Sequence, residues 1–164
     1  MSTRFSHSRV EVFDRCPFKY RLRYVDGLDT IPNTDADNAL ILGTALHTGI
    51  EEGVEQALDF YKNSFPVLTD DHIHEMMKLE AMIPKAKAML PPGGSFELPI
   101  GNADFIGFMD YLVPVGKGLK LDGLITGEDL DEFEAFDLYD FKYSNNAKNY
   151  AVSGQLHEYK YWYE

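Results

Sequence analysis

FDLYDFKYSN, residues 136–145, is the stretch from which the fold of this chain can be read. Phe136, Leu138, Tyr139, Phe141 and Tyr143 are residue types that favour a pleated, half-buried strand. Side chains alternate across a strand, so Asp140 and Lys142 fall on one face, about 6.5–7 Å apart along it. An acid and a base at that spacing are either a solvated pair or a pair held together for chemistry.

A second strand-like run, ADFIGFMDYLVPV (103–115), puts Asp110 on the same face as Phe108 and Leu112. An acid between apolar residues is costly to bury unless it is paired, hydrogen-bonded or metal-bound. If the two strands are neighbours, Asp110, Asp140 and Lys142 converge. Two carboxylates then supply oxygen ligands for Mg²⁺ or Mn²⁺, with an ammonium beside them. That set serves phosphodiester hydrolysis: the metal activates water and stabilises developing charge, and the lysine orients the nucleophile or neutralises charge.

The bulk composition narrows the class. A chain of 164 residues, 45% hydrophobic and 13% aromatic, fits one folded domain with a real core. It has no apolar run of 18 or more residues, and MSTRFSHSRVEVF lacks the apolar centre of a signal peptide. The expectation is a cytoplasmic protein with no membrane span. Cys16 is the only cysteine, which excludes an intrachain disulfide and an iron–sulfur cluster held by four cysteines of this chain. The net charge of −12 has the wrong sign for a non-specific nucleic-acid binder. Residues 4–23 run against that sum, with Arg4, Arg9, Arg15, Lys19, Arg21 and Arg23 against only Glu11 and Asp14.

Periodicity divides the chain into a mainly helical part (1–92), a sheet part (95–145) and a final helix (147–164), together one domain over 1–164. The first helix starts at Ser6 or Ser8 and breaks at Cys16–Pro17. Residues 39–63 predict one amphipathic helix whose Gly43, Gly49 and Gly53 let another backbone come close. A further helix follows Thr69–Asp70 and ends or bends at Pro84. PPGG at 91–94 is a turn, followed by strands over 95–100, 103–115 and 136–143 with an acidic loop before the last. The fold class is mixed α/β (α+β), a sheet packed against helices.

Five separated elements, in order, resemble those of the PD-(D/E)xK nuclease superfamily, specifically its RecB-like branch. SHSRVEVFDRCPFKY resembles the Ser-x-Ser…Cys-Pro-x-x-Tyr helix, LGTALH the Gly-x-x-x-His helix, GFMD the Gly-x-x-Asp strand, YDFK the Asp-x-Lys strand, and QLHEY the Gln-x-x-x-Tyr helix. The resemblance implies a restriction-endonuclease-like core with a central mixed sheet flanked by helices. It implies a Mg²⁺- or Mn²⁺-dependent deoxyribonuclease, exonuclease or endonuclease, acting in nucleic-acid processing, recombination or repair. His47, Asp110 and Asp140 are then metal ligands together with the backbone carbonyl of Phe141, and Lys142 assists the attacking water. Ser6, Ser8, Arg9, Arg15, Lys19 and Tyr20 hold the phosphate backbone, which suits the basic segment. Gln155 and Tyr159, one helical turn apart, touch the nucleic acid or brace Lys142. Strand preference and polarity stay open, as does DNA against RNA. The chain stops soon after the Gln-x-x-x-Tyr helix, where many relatives continue. That reads as a minimal phage-like or accessory version, a truncation, or a domain that needs a partner subunit.

Other readings compete. DDHIHE (70–75) offers histidines and carboxylates, but Asp70 and Asp71 at a helix start are ordinary dipole partners. His47 and Glu51 lie four apart without the second histidine of a zinc-protease helix. Glu97, just before the Asp110 strand, is near enough to join the site, yet a solvated strand-edge residue is the favoured reading. The rival function is a catalytically inactive nuclease-fold binding module, or an acidic protein that regulates a DNA-binding partner.

Overall fold

The structure, a computed structural model, describes residues 4–101, 103–115 and 135–144. The N-terminal helix α1 (His7–Arg15) gives way at Cys16 to α2 (Pro17–Tyr20), which continues into a π-helical turn over Arg21–Val25. Proline at the first helical position costs α2 nothing, because that N–H has no intrahelical partner. Cys16 caps it, its sulfur accepting from the Lys19 amide. Ser6 occupies the N-cap of α1, but its hydroxyl pairs with Ser8 Oγ rather than capping the helix.

The helix expected over 39–63 is a hairpin of two, α3 (Ala39–Glu51) and α4 (Val54–Asn63). The break is Gly53, whose φ of 129° is open to glycine and strained for other residues. Gly49 serves close packing, though against side chains rather than another backbone: a Cβ there would run into Ile83 and touch Ala57. Helix α5 (Asp70–Met89) continues past Pro84, so the proline does not end it. Pro84 and Glu80, whose carbonyl loses its helical donor, both face solvent, while Leu79 and Ile83 on the inner side are buried. Packing on the inner face thus outweighs the lost hydrogen bond. At its start Thr69 and His72 cap reciprocally, the Thr69 amide donating to His72 Nδ1, with Asp70 and Asp71 in the first turn.

Leu42, Ala45, Leu46, Ile50, Ala57, Tyr61, Phe65, Leu79 and Ile83 form the core of this helical part, and Phe96 of the sheet packs against it together with Phe141 and Tyr143. Strands β1 (Ser95–Gly101), β2 (Ile106–Val115) and β3 (Ala135–Tyr139) form an antiparallel sheet in the order β1-β2-β3. The PPGG turn is locked by Tyr111, whose hydroxyl donates to the Pro91 carbonyl and accepts from the Gly94 amide. The sheet is antiparallel throughout its described ladders, where a mixed sheet was expected; its one parallel contact is the isolated bridge between Phe5 and Phe105. The expected final helix (147–164) and the acidic loop lie outside the described residues. Among the described residues no helix is long and apolar enough to cross a membrane.

Candidate functional site

Register builds the site. The β1–β2 ladder pairs Phe96 with Tyr111 and Leu98 with Met109, which sets Glu97 opposite Asp110. The β2–β3 ladder pairs Tyr111 with Tyr139, so the next step sets Asp140 level with Asp110 from the other side. Glu97, Asp110 and Asp140 therefore stand in one row across the sheet. Opposed like charges in a sheet destabilise it, and such a row is the arrangement a cation would relieve.

Helix α3 lays His47 over this row. His47 Nδ1 is 3.7 Å from Glu97 Oε1, and its Nε2 is 3.6 Å from Asp110 Oδ2. His47, Glu97 and Asp110 each offer a ligand atom within 4.8 Å of the others. Ligands on opposite sides of a Mg²⁺ ion stand about 4.2 Å apart, so small side-chain rotations close the set. Phe141 completes the cluster through its backbone: its carbonyl bonds to His47 Nε2 at 2.9 Å and its amide donates to Asp110 Oδ2 at 2.6 Å. Oxygen donors with one imidazole suit a hard divalent cation such as Mg²⁺ or Mn²⁺.

Strand β3 ends at Tyr139, so Asp140 and Lys142 lie just beyond the ladder rather than on the strand expected to run to 143. Release from pairing leaves the Phe141 amide free to serve Asp110. Lys142 Nζ donates to Asp140 Oδ1 at 2.8 Å. The structure thus brings His47, Asp110, Phe141, Asp140 and Lys142 to one place, with Asp140 engaged by the lysine.

Glu97 meets both readings the sequence allowed. It is exposed on the edge strand β1, yet it faces His47 at 3.7 Å, and its φ of 49° is left-handed, a conformation non-glycine residues adopt at a cost of about 1–3 kcal/mol. The only signal in the sequence was its register with Asp110, which could not be read before the strands were paired. Burial pushes the Asp110 carboxyl up to about 6, although His47, the Phe141 amide and Lys142 each pull it down. Glu51 is also raised, by burial first and then by Glu97 and Glu52. In both cases loss of solvent is the larger cause, and the neighbouring carboxylates add to it.

A second anchor holds the Lys142 segment. Tyr143 Oη donates to Glu75 Oε2 at 2.8 Å, and Lys78 Nζ to Glu75 Oε1 at 2.6 Å. Burial raises the Glu75 carboxyl, but the bonds from Lys78 and Tyr143 outweigh it and hold the group below its ordinary value. Glu75 closes the DDHIHE run, but nothing in the sequence marked it as a partner of Tyr143. A cleft of about 480 Å³ opens beside the row, lined by Gly43, Thr44, His47, Glu97 and Lys142.

Ser6, Ser8, Arg9, Arg15, Lys19 and Tyr20 lie on the N-terminal arm. Arg15 pairs with Glu11, Arg9 bonds the Arg4 carbonyl, and Tyr20 packs on Phe13 and Tyr24. None of their described side-chain contacts reaches the acidic row. Gln155 and Tyr159 lie outside the described residues.

No curated protein and no solved structure gave a match in comparison with this chain. The sequence model of the PD-(D/E)XK nuclease superfamily matches residues 4–163. That span holds the whole acidic row, His47 and Lys142, and the chain belongs to the PD-(D/E)XK nuclease superfamily.

Proposed function

We propose that this chain is a RecB-like nuclease that hydrolyses DNA phosphodiester bonds with Mg²⁺ or Mn²⁺. The observation that carries the reading is the meeting of His47, Glu97 and Asp110 within 4.8 Å, with Phe141 bonded to both His47 and Asp110 and the Asp140–Lys142 pair on either side of Phe141. His47, Asp110, Asp140 and the Phe141 carbonyl would hold the cation, and Glu97 joins them. When bound, the cation supplies charge neutralisation at the phosphate and lowers the pKa of water.

The chain's own residues do the rest. Lys142 is an ammonium with three donors, held by Asp140 where it can orient a water or meet phosphate charge. His47 donates Nε2–H to the Phe141 carbonyl, and since ligation needs a ring nitrogen with a free lone pair, Nε2 would have to give up that proton to hold a cation. The Tyr143–Glu75 bond fixes the backbone one residue past Lys142, limiting how far the ammonium drifts.

The test is cleavage of labelled linear and circular, single- and double-stranded DNA with Mg²⁺, Mn²⁺ or chelator, run beside Asp140→Ala. Metal-dependent cutting that disappears in the folded variant is the expected result, and cutting of circles would identify an endonuclease. Lys142→Ala is expected to keep metal affinity and lose rate. Retained metal-dependent activity in Asp140→Ala would remove the central claim, and no cutting by the native chain would favour the non-catalytic binding module.

A further inference from the structure

The arm formed by α1, α2 and the π-helical turn buries none of its residues. Its described backbone tie to the sheet is the Phe5 bridge, in which the Phe5 amide donates to Asp104 and the Ile106 amide donates to Phe5. Phe13 is 50% exposed and Phe18 66% exposed. An element that contributes no side chain to a core is kept for what it presents. Here it presents phenyl rings among cations. Arg4, Arg9, Lys19 and Arg23 form no salt bridge among the described residues, whereas Arg15 and Arg21 are taken up by Glu11 and Asp26.

The rings and guanidinium groups are already stacked. Phe13 packs edge-on against Tyr20 at 5.4 Å, Tyr20 lies 5.1 Å from Tyr24, and Arg9 and Arg23 stand over the Tyr24 ring at 4.9 and 5.4 Å. Unpaired bases stack on aromatic rings and guanidinium planes, while a basic groove follows the backbone. A duplex offers this surface its phosphates but not its base faces. The arm is rooted at the start of β2, four residues before Asp110, roughly 13 Å of extended strand from the acidic row.

Resting on the nuclease reading above, we infer that the arm is a stacking surface for unpaired bases, so that the substrate delivered to the acidic row is single-stranded DNA. Charge selects this occupant: the arm carries the basic excess of an otherwise acidic chain, and its exposed rings sit among those cations rather than forming a purely apolar face. Phe18 is the ring most open to a base, and Lys19 follows it in the chain.

The experiment measures fluorescence anisotropy of a short labelled single strand and of the matching duplex, in chelator, with the full chain. Phe18→Ala is expected to weaken single-strand binding by about 5- to 100-fold and duplex binding by less than about twofold. Phe18→Tyr should restore single-strand binding. Lys19→Ala should weaken both alike and lower the salt slope by about one. Equal losses on both probes, no loss on either, or no DNA binding by the native chain would overturn the inference. So would sedimentation showing that the native chain self-associates through the arm, with Phe18→Ala monomeric and its single-strand affinity intact. Because binding is read without metal, Phe18-dependent binding alongside absent cleavage would leave the arm standing and remove the nuclease reading.

Discussion

Glu97 and Asp110 show at the scale of single residues how a site carries its own cost. Glu97 holds a left-handed backbone inside a strand, and Asp110 is charged where burial disfavours charge. Asp110 resists ionisation in the fold, so its penalty appears as pH rises above about 4 and is complete above about 6. Asp110→Asn should therefore stabilise the metal-free chain at neutral pH, by an amount on the order of 1–3 kcal/mol, with the gain vanishing in acid. Denaturant melts in chelator at several pH values check this. Glu97→Gln should weaken Mn²⁺ binding at least as much as losing a partner outside the ligand set, about 10- to 100-fold, read by calorimetry. An unchanged affinity would return Glu97 to a bystander.

Two contacts between elements decide whether the row stays in place. Gly49 lets α3 close on Ile83 of α5, and Gly49→Ala should cost about 1–3 kcal/mol through overpacking, seen as a lower denaturation midpoint. The bond from Tyr143 to Glu75 ties the segment after β3 to α5. Glu75 is held below its ordinary value, so its stabilisation is present above the unfolded pKa near 4.5 and is lost as pH falls through the lower folded value. Glu75→Gln should cost about 1–3 kcal/mol at neutral pH and much less in acid, because Lys78 and Tyr143 lose an ionised acceptor. A pH-independent loss would mean that the charge of Glu75 is not what holds the segment.

For the whole molecule, a cation held by α3, β1, β2 and the segment after β3 would add a shared link to parts already joined by packing and a few hydrogen bonds. Binding to the folded state alone adds about 2.7 kcal/mol at a metal concentration a hundred times the Kd. Mn²⁺ should therefore raise the melting temperature of the native chain, and Asp110→Asn should abolish that rise while keeping its higher metal-free stability. A metal response that survives in Asp110→Asn would place the cation elsewhere. The effect should also fade as pH drops through about 6, since ligands must be deprotonated to bind.

The sequence by itself determined most of the described helical and strand segments, the acids at 110 and 140, the lysine at 142, the histidine at 47 and the basic N-terminal segment, because each is written in local periodicity or in residue type. It misjudged Gly53 and the end of β3, where a glycine dihedral and the last ladder pair outweighed local propensity. Only the tertiary structure decided that Glu97 belongs beside His47, that the Phe141 amide serves Asp110, and that Glu75 anchors Tyr143 across 68 residues. Those depend on strand register and helix packing, which are set by contacts between residues far apart in the chain, so no local pattern announces them.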